Sequence, residues 1–181
     1  MNEPTVVAVS LSKGHTFSKT VVESVELVAG KGVAGDAHSG ETVKHRSRVA
    51  KDPSQPNLRQ VHLMHNELFD ELAEKGYDVH PGQLGENITT VGVDLLALPE
   101  GTKMSIGPDA EIQITGLRNP CSQIDDFQQG LLKEVLEKKA DGRLERKAGV
   151  MAIVLRSGVV APGQTIEVQL PTPPFKPLER V

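Results

Sequence analysis

The chain has 181 residues, 38% hydrophobic and 24% charged, and its 20 Lys and Arg against 24 Asp and Glu give a net charge of -4. That length suits one domain able to bury its own core, and the acidic balance excludes a protein that lives on phosphate-backbone contacts. A single cysteine rules out an internal disulfide framework and fits a reducing compartment, so the expected location is the cytoplasm. No apolar run approaches the ~20 residues of a membrane span, and the opening MNEPTVVAVS lacks the basic-then-apolar order of a signal peptide. Four Phe, one Tyr and no Trp leave no stacking platform for bases. Neither nucleic acid nor membrane is therefore an expected partner. The 17 Gly and 12 Pro point to a loop-rich β architecture.

In chain order, residues 5–11 alternate loosely and predict a strand. Residues 20–29 (TVVESVELVA) predict a second, with Val25 and Leu27 on one face and Glu26 opposite. The stretch that follows, to Leu58, is polar and has no periodicity, which reads as a functional or disordered loop. Within it, residues 37–57 carry His38, Lys44, His45, Arg46, Arg48 and Lys51 against Glu41 and Asp52, the composition of a flap that orders on an anionic ligand. Residues 59–64 predict a short strand. Residues 65–75 predict a helix with Leu68, Phe69 and Leu72 as its apolar stripe, His65 or Asn66 as its cap and Gly76 as its stop.

Further along, PGQLGENITT turns into a strand, 103–106 and 110–116 read as strands around the turn at GPD, and 124–138 reads as a helix weakened by Gly130. Residues 149–155 (GVMAIVL) are continuously apolar, as in a strand buried on both faces, and 165–170 alternate. The tail PTPPFKPLERV reads as an extended segment draped over the surface. Many short strands between turns, with about two helices, predict a mainly β, single-domain, barrel-like fold. The expected segments are an N-terminal strand over 1–20, a main domain over 21–170 and a Pro-rich tail over 171–181.

Cys121, in Arg118-Asn119-Pro120-Cys121-Ser122, is the strongest chemical feature. A lone cysteine also fits as a small buried hydrophobe. Against that, Cys121 lies in a polar turn, Arg118 is a nearby cation, and Pro120 suits the first position of a helix whose dipole would favour thiolate. Asp125 and Asp126 oppose that effect. Gly85-Glu86-Asn87, entering a strand, offers close backbone approach and an amide with both donor and acceptor, though such tripeptides are also plain turns. Asp36, His38 and His45 lack tight zinc spacing, and His62 and His65 read as structural.

The ordered set GDAHSG, RQVHLMHNELFDEL, PGQLGENIT, GLRNPCSQID, KAGVMAIV and GxVxPGQTIEV resembles the MOSC domain, over roughly 21–168. That domain forms the C-terminal part of molybdenum-cofactor sulfurases and occurs as small stand-alone bacterial proteins. The resemblance implies a predominantly β fold around a barrel, places the family's functional thiol at Cys121, and matches its GEN element to Gly85, Glu86 and Asn87. It implies binding of the molybdenum cofactor (molybdopterin), with Cys121 as metal ligand or sulfur carrier. Asn87, Asn119 and Ser122 would be hydrogen-bonding neighbours. Arg48, Arg59, Arg118 and Lys147 become the candidates for the cofactor phosphate by charge. Pyridoxal phosphate belongs to a separate desulfurase domain and is not expected in this chain. Three functions follow: a reductase of N-hydroxylated compounds fed by a redox partner, a carrier that hands cofactor or sulfur to a recipient molybdoenzyme, or a β-barrel binding module whose cysteine is inert.

Overall fold

The computed structural model describes residues 2–44 and 46–181. Thr5–Leu11 forms β1, with Val6, Ala8 and Val9 buried. The expected strand over 20–29 divides into β2 (Thr20–Val22) and β3 (Val25–Val28), because its halves pair with different sheets. Val25 and Leu27 are buried and Glu26 is exposed, as the alternation required. The segment to Leu58 is shorter of structure than its neighbours but not bare: it holds β4 (Gly32–Val33) and a single turn of helix, α1 (Arg46–Val49). Its two limbs are tied by Val43 N–H to the Gln55 carbonyl, by Asn57 N–H to the Glu41 carbonyl and by the Asn57 amide, which donates to the carbonyls of His38 and Gly40.

β5 (Val61–His65) runs into α2 (Asn66–Glu74), which buries Leu68, Phe69 and Leu72. His65 is the N-cap but makes no side-chain capping bond. α2 carries the chain across to β6 (Ile88–Val91), which lies parallel to β5. Parallel neighbours need such a crossover. A 3₁₀ turn at Leu95–Ala97 precedes β7 (Lys103–Ile106) and β8 (Ala110–Leu117), and β8 buries every second residue.

The single helix expected over 124–138 is instead two short pieces and a strand. These are α3 (Gln123–Phe127), α4 (Leu132–Val135) and β9 (Leu136–Lys138), the last paired with β10 (Leu144–Arg146). The break has a local cause: Gln128 is already extended and Gly130 takes φ +85°, a left-handed turn that no helix can pass through. The spacing of Leu131 and Val135 was a packing pattern, since both are fully buried, but it was not continuous.

β11 (Val150–Arg156), β12 (Gly158–Val160) and β13 (Ile166–Gln169) complete the chain order. Burial along β11 runs from Val150 to Val154, with Ile153 half-buried, and is gone at Leu155 and Arg156. The main sheet has eight strands in the order β13-β7-β8-β11-β5-β6-β1-β2, and a smaller one has the order β12-β3-β4. The architecture is mainly β, as expected. It is an open sheet and not a closed barrel: β13 and β2 end it unpaired with each other. The nearest approach to closure is one bridge, Thr5 to Thr165, flanked by Val6 N–H to the Gln164 carbonyl and Ile166 N–H to the Pro4 carbonyl.

The principal core lies between the two sheets and includes Val9, Leu27, Leu63, Ile88, Ile112 and Val150. A second core, with Met64, Leu68, Leu72, Leu84, Ile124 and Leu131, packs α2, α3 and α4 against the edge where β5 and β8 end. Cys121 sits on the link between β8 and α3, at the seam of the two cores.

Candidate functional site

A cavity of about 540 Å³ opens at this seam. Cys121 lines it, with Arg48, Arg59 and Arg118, and also Lys19, His38, His62, Gly85, Asn87 and Asn119. Its size falls within the roughly 300–1,000 Å³ of small-molecule sites. The Cys121 side chain is half-buried and its thiol donates to Gln123 Oε1 at 3.6 Å. Pro120 does not open a helix; α3 begins at Gln123, with Ser122 as N-cap. A five-residue helix has little dipole to offer, so positive potential at the thiol comes from the arginines.

Those arginines are held with unusual economy. Arg118 is buried; its Nη1 donates to the Leu84 carbonyl at 2.8 Å, its backbone N–H donates to Gly149, and its guanidinium lies 5.7 Å from the Phe17 ring centre. Burial lowers its pKa, while a Cys121 thiolate and Glu86 act in the other direction. Arg59 is brought down to about 10 by burial first, then by repulsion from Arg48 and Arg118, again opposed by Cys121. Among the described residues the only arginine–carboxylate ion pair is Arg143–Asp141, on the surface. Arg48, Arg59 and Arg118 therefore crowd together without a carboxylate partner. Crowded cations without a counter-charge favour an anion between them.

One carboxylate, Asp36, lies behind the cavity lining, against Lys19, His38 and Asn87. The Asp36 side chain is 1% exposed and pairs with Lys19 at 3.0 Å, itself 5% exposed. Asp36 also accepts from the N–H groups of Ser12 and His38 and from the Asn87 amide. Burial works to raise its pKa, but the His38 hydrogen bond and the Lys19 charge outweigh it, and the carboxyl is held well below the usual range. Its charge is spent on Lys19 and its neighbours. His62 is buried with Nε2 2.7 Å from the Ala148 carbonyl, and burial, then Arg118, keep it neutral.

The GEN element sits where the chain needs it, by different means than expected. Gly85 has φ +89°, and a Cβ there would press on the Phe17 carbonyl, so only glycine fits the wall. The Asn87 amide is consumed by the fold: it donates to the Ser10 carbonyl and Asp36 and accepts from His62 N–H. Glu86 lies wholly buried behind the wall, its Oε1 accepting from Gly82 N–H and Thr89 while Oε2 has no partner. Burial raises its pKa.

Of the other candidates, Asn119 lines the cavity and accepts from Arg146 at 3.1 Å. Ser122 and Lys147 are not among the lining residues; Lys147 is turned to Glu71 at 3.1 Å, on α2. Lys147 is thus committed elsewhere. Asp36 and His38 do meet, at 3.4 Å, but His45 lies outside the described residues, and no group of three His, Cys, Asp or Glu with metal-binding geometry occurs among those described. Lys19 and Arg180 were missed. Both come from segments without periodicity, and only their position in the fold brings them to the cavity.

Fold and cavity together define a small, mainly β protein that presents its one thiol among unpaired arginines. The family model of the MOSC domain matches residues 38–167, and the chain belongs to the MOSC family. Among solved structures it is similar to the YuaD protein from Bacillus subtilis, at 24% identity and a TM-score of 0.74, covering 93% of this chain and 97% of that one. It is also similar to YiiM from Geobacillus stearothermophilus (21% identity, TM-score 0.65, 92% of this chain and 75% of that one). YiiM from Escherichia coli shares 17% identity at a TM-score of 0.62, over 95% of this chain and 73% of that one. No curated protein matches the chain. No helix among the described residues is long and apolar enough to cross a membrane.

Proposed function

We propose that this protein binds the molybdenum cofactor in the cavity at the seam of its two cores. Cys121 would be the soft ligand to the metal or the carrier of a sulfur atom, and Arg48, Arg59 and Arg118 would hold the cofactor phosphate. One observation carries this reading: the only thiol of the chain lines a cavity that also holds four arginines with no carboxylate partner among the described residues. The donor set fits the group. A thiolate suits a soft metal, a guanidinium suits a phosphate, and the volume admits a ligand of this class.

When bound, the cofactor supplies two-electron redox chemistry at its metal. The chain does the rest. Arg59 and Arg118 set positive charge in the cavity that Cys121 lines. Phe17 and the Leu84 carbonyl fix Arg118, so the cation does not have to be ordered on binding. His62, kept neutral, adds no charge to the site.

The reading has an enzymatic form, reduction of N-hydroxylated compounds with electrons from a separate redox partner, and a carrier form that passes cofactor or sulfur to a molybdoenzyme. Protein produced in a cofactor-competent host, supplied with an electron donor and an N-hydroxylated base, separates them. Turnover that disappears in Cys121→Ala supports the enzyme. Retained cofactor without turnover supports the carrier. Absence of any pterin or metal in the wild type contradicts both.

A further inference from the structure

The MOSC match stops at residue 167, yet the cavity lining includes Arg180 and Val181. Residues beyond β13 do not drape freely over the surface. Lys176 pairs with Glu100 at 2.8 Å and accepts from the Glu100 N–H through its carbonyl. Leu178 packs against the principal core. Leu117 N–H donates to the Glu179 carbonyl at 2.7 Å, Val181 N–H donates back to the Leu117 carbonyl, and Arg180 bridges Leu117 in parallel fashion. The tail thus runs as an added strand along the end of β8, one residue before Arg118.

The sequence makes room for it. Gly116 is buried, and a Cβ at that position would overlap Val181 Cγ1 and the Glu179 carbonyl. Only a residue without a side chain lets the tail lie this close. Docked in this way, the tail brings to the cavity a further guanidinium, exposed and without a carboxylate partner among the described residues.

We infer that residues 176–181 form a substrate-selecting wall of the cavity, in which Arg180 recruits small molecules bearing a carboxylate or phosphate group to the Cys121 side. The cations proposed for the cofactor come from α1, the approach to β5 and the end of β8. Arg180 comes from the opposite end of the chain and is available to a second anion. The proposal concerns the charge of what enters and does not rest on the identity of the cofactor.

The test uses the full chain produced without cofactor and the fact that Cys121 is its only thiol. Iodoacetate and iodoacetamide differ by one carboxylate, and the ratio of their labelling rates at Cys121 reads the charge selectivity of the approach. Arg180→Gln should lower that ratio about fivefold, the effect of losing ~1 kcal/mol of charge attraction in a wet site, with the iodoacetamide rate unchanged. Arg180→Lys should restore most of it. Inorganic phosphate should slow iodoacetate labelling in the wild type more than in Arg180→Gln, which extends the selectivity from carboxylate to phosphate. Gly116→Val, which displaces the tail while keeping Arg180, should lower the ratio as well, with circular dichroism confirming the fold. A ratio unchanged in Arg180→Gln overturns the proposal. So does an equal change for both reagents, which would mean that the tail only covers the thiol. Metal content of Arg180→Gln made in a cofactor-competent host should match the wild type, so failure here is distinguishable from failure of cofactor binding.

Discussion

Replacing Asp36 by Asn keeps the shape of the side chain and removes its charge, leaving Lys19 buried beside an amide. The carboxylate and the ammonium are 1% and 5% exposed and 3.0 Å apart. Removing one partner of such a pair strands the other without water, at a cost of about 3–5 kcal/mol. The amide also presents two N–H donors to a site that already receives donors from Ser12, His38 and Asn87, so one hydrogen bond turns into a repulsion. For a chain of this length the melting temperature should fall by about 6–20 °C. The pH dependence has a definite sign. The carboxyl is held below its ordinary value of 3.8, so its contribution is present above that pH and is lost as the pH falls through the folded value. The gap between wild type and Asp36→Asn should shrink as the pH falls into the acid range. Lys19→Met combined with Asp36→Asn should recover much of the loss, because no uncompensated charge remains. Thermal melts followed by circular dichroism at several pH values are sufficient. An Asp36→Asn protein melting within about 2 °C of the wild type would refute the view that this ion pair braces the cavity wall.

Cys121→Ser should cost less than about 1 kcal/mol by urea denaturation, since the side chain is half-buried at a cavity edge and little packed volume changes. Glu86→Gln should flatten the stability profile between acid and neutral pH. The folded carboxyl titrates above its ordinary value of 4.5, so its contribution is full below that value and lost as the pH rises through the folded one, by up to about 1.4 kcal/mol per unit. Urea midpoints across that range read it directly, and parallel slopes for the two proteins would contradict it.

Much of the fold was legible because periodicity and packing agree. β1, α2 and β8 bury the residues that their alternation or helical stripe picked out. Prediction failed where local pattern and pairing partner part company. Residues 20–29 look like one strand, but the two halves join different sheets. Residues 124–138 carry a helical stripe that Gly130 interrupts. Open versus closed is a property of the strand order, which no local window contains. At the cavity, Cys121, Gly85, Arg48, Arg59 and Arg118 were visible from residue type. Asn87 was visible too, but its amide turned out to be spent on β1, β5 and Asp36, and Lys147 on Glu71. Lys19 and Arg180 carried no local signal, since it takes an ion pair with Asp36 and a strand along β8 to place them.

The most direct measurement of the central claim is the molybdenum and pterin content of the full chain made in a cofactor-competent host, wild type beside Cys121→Ala. The account predicts near-stoichiometric metal and pterin in the wild type. In Cys121→Ala, with melting close to the wild type, it predicts loss of most of the metal. Equal content in the two proteins would contradict the role given to Cys121.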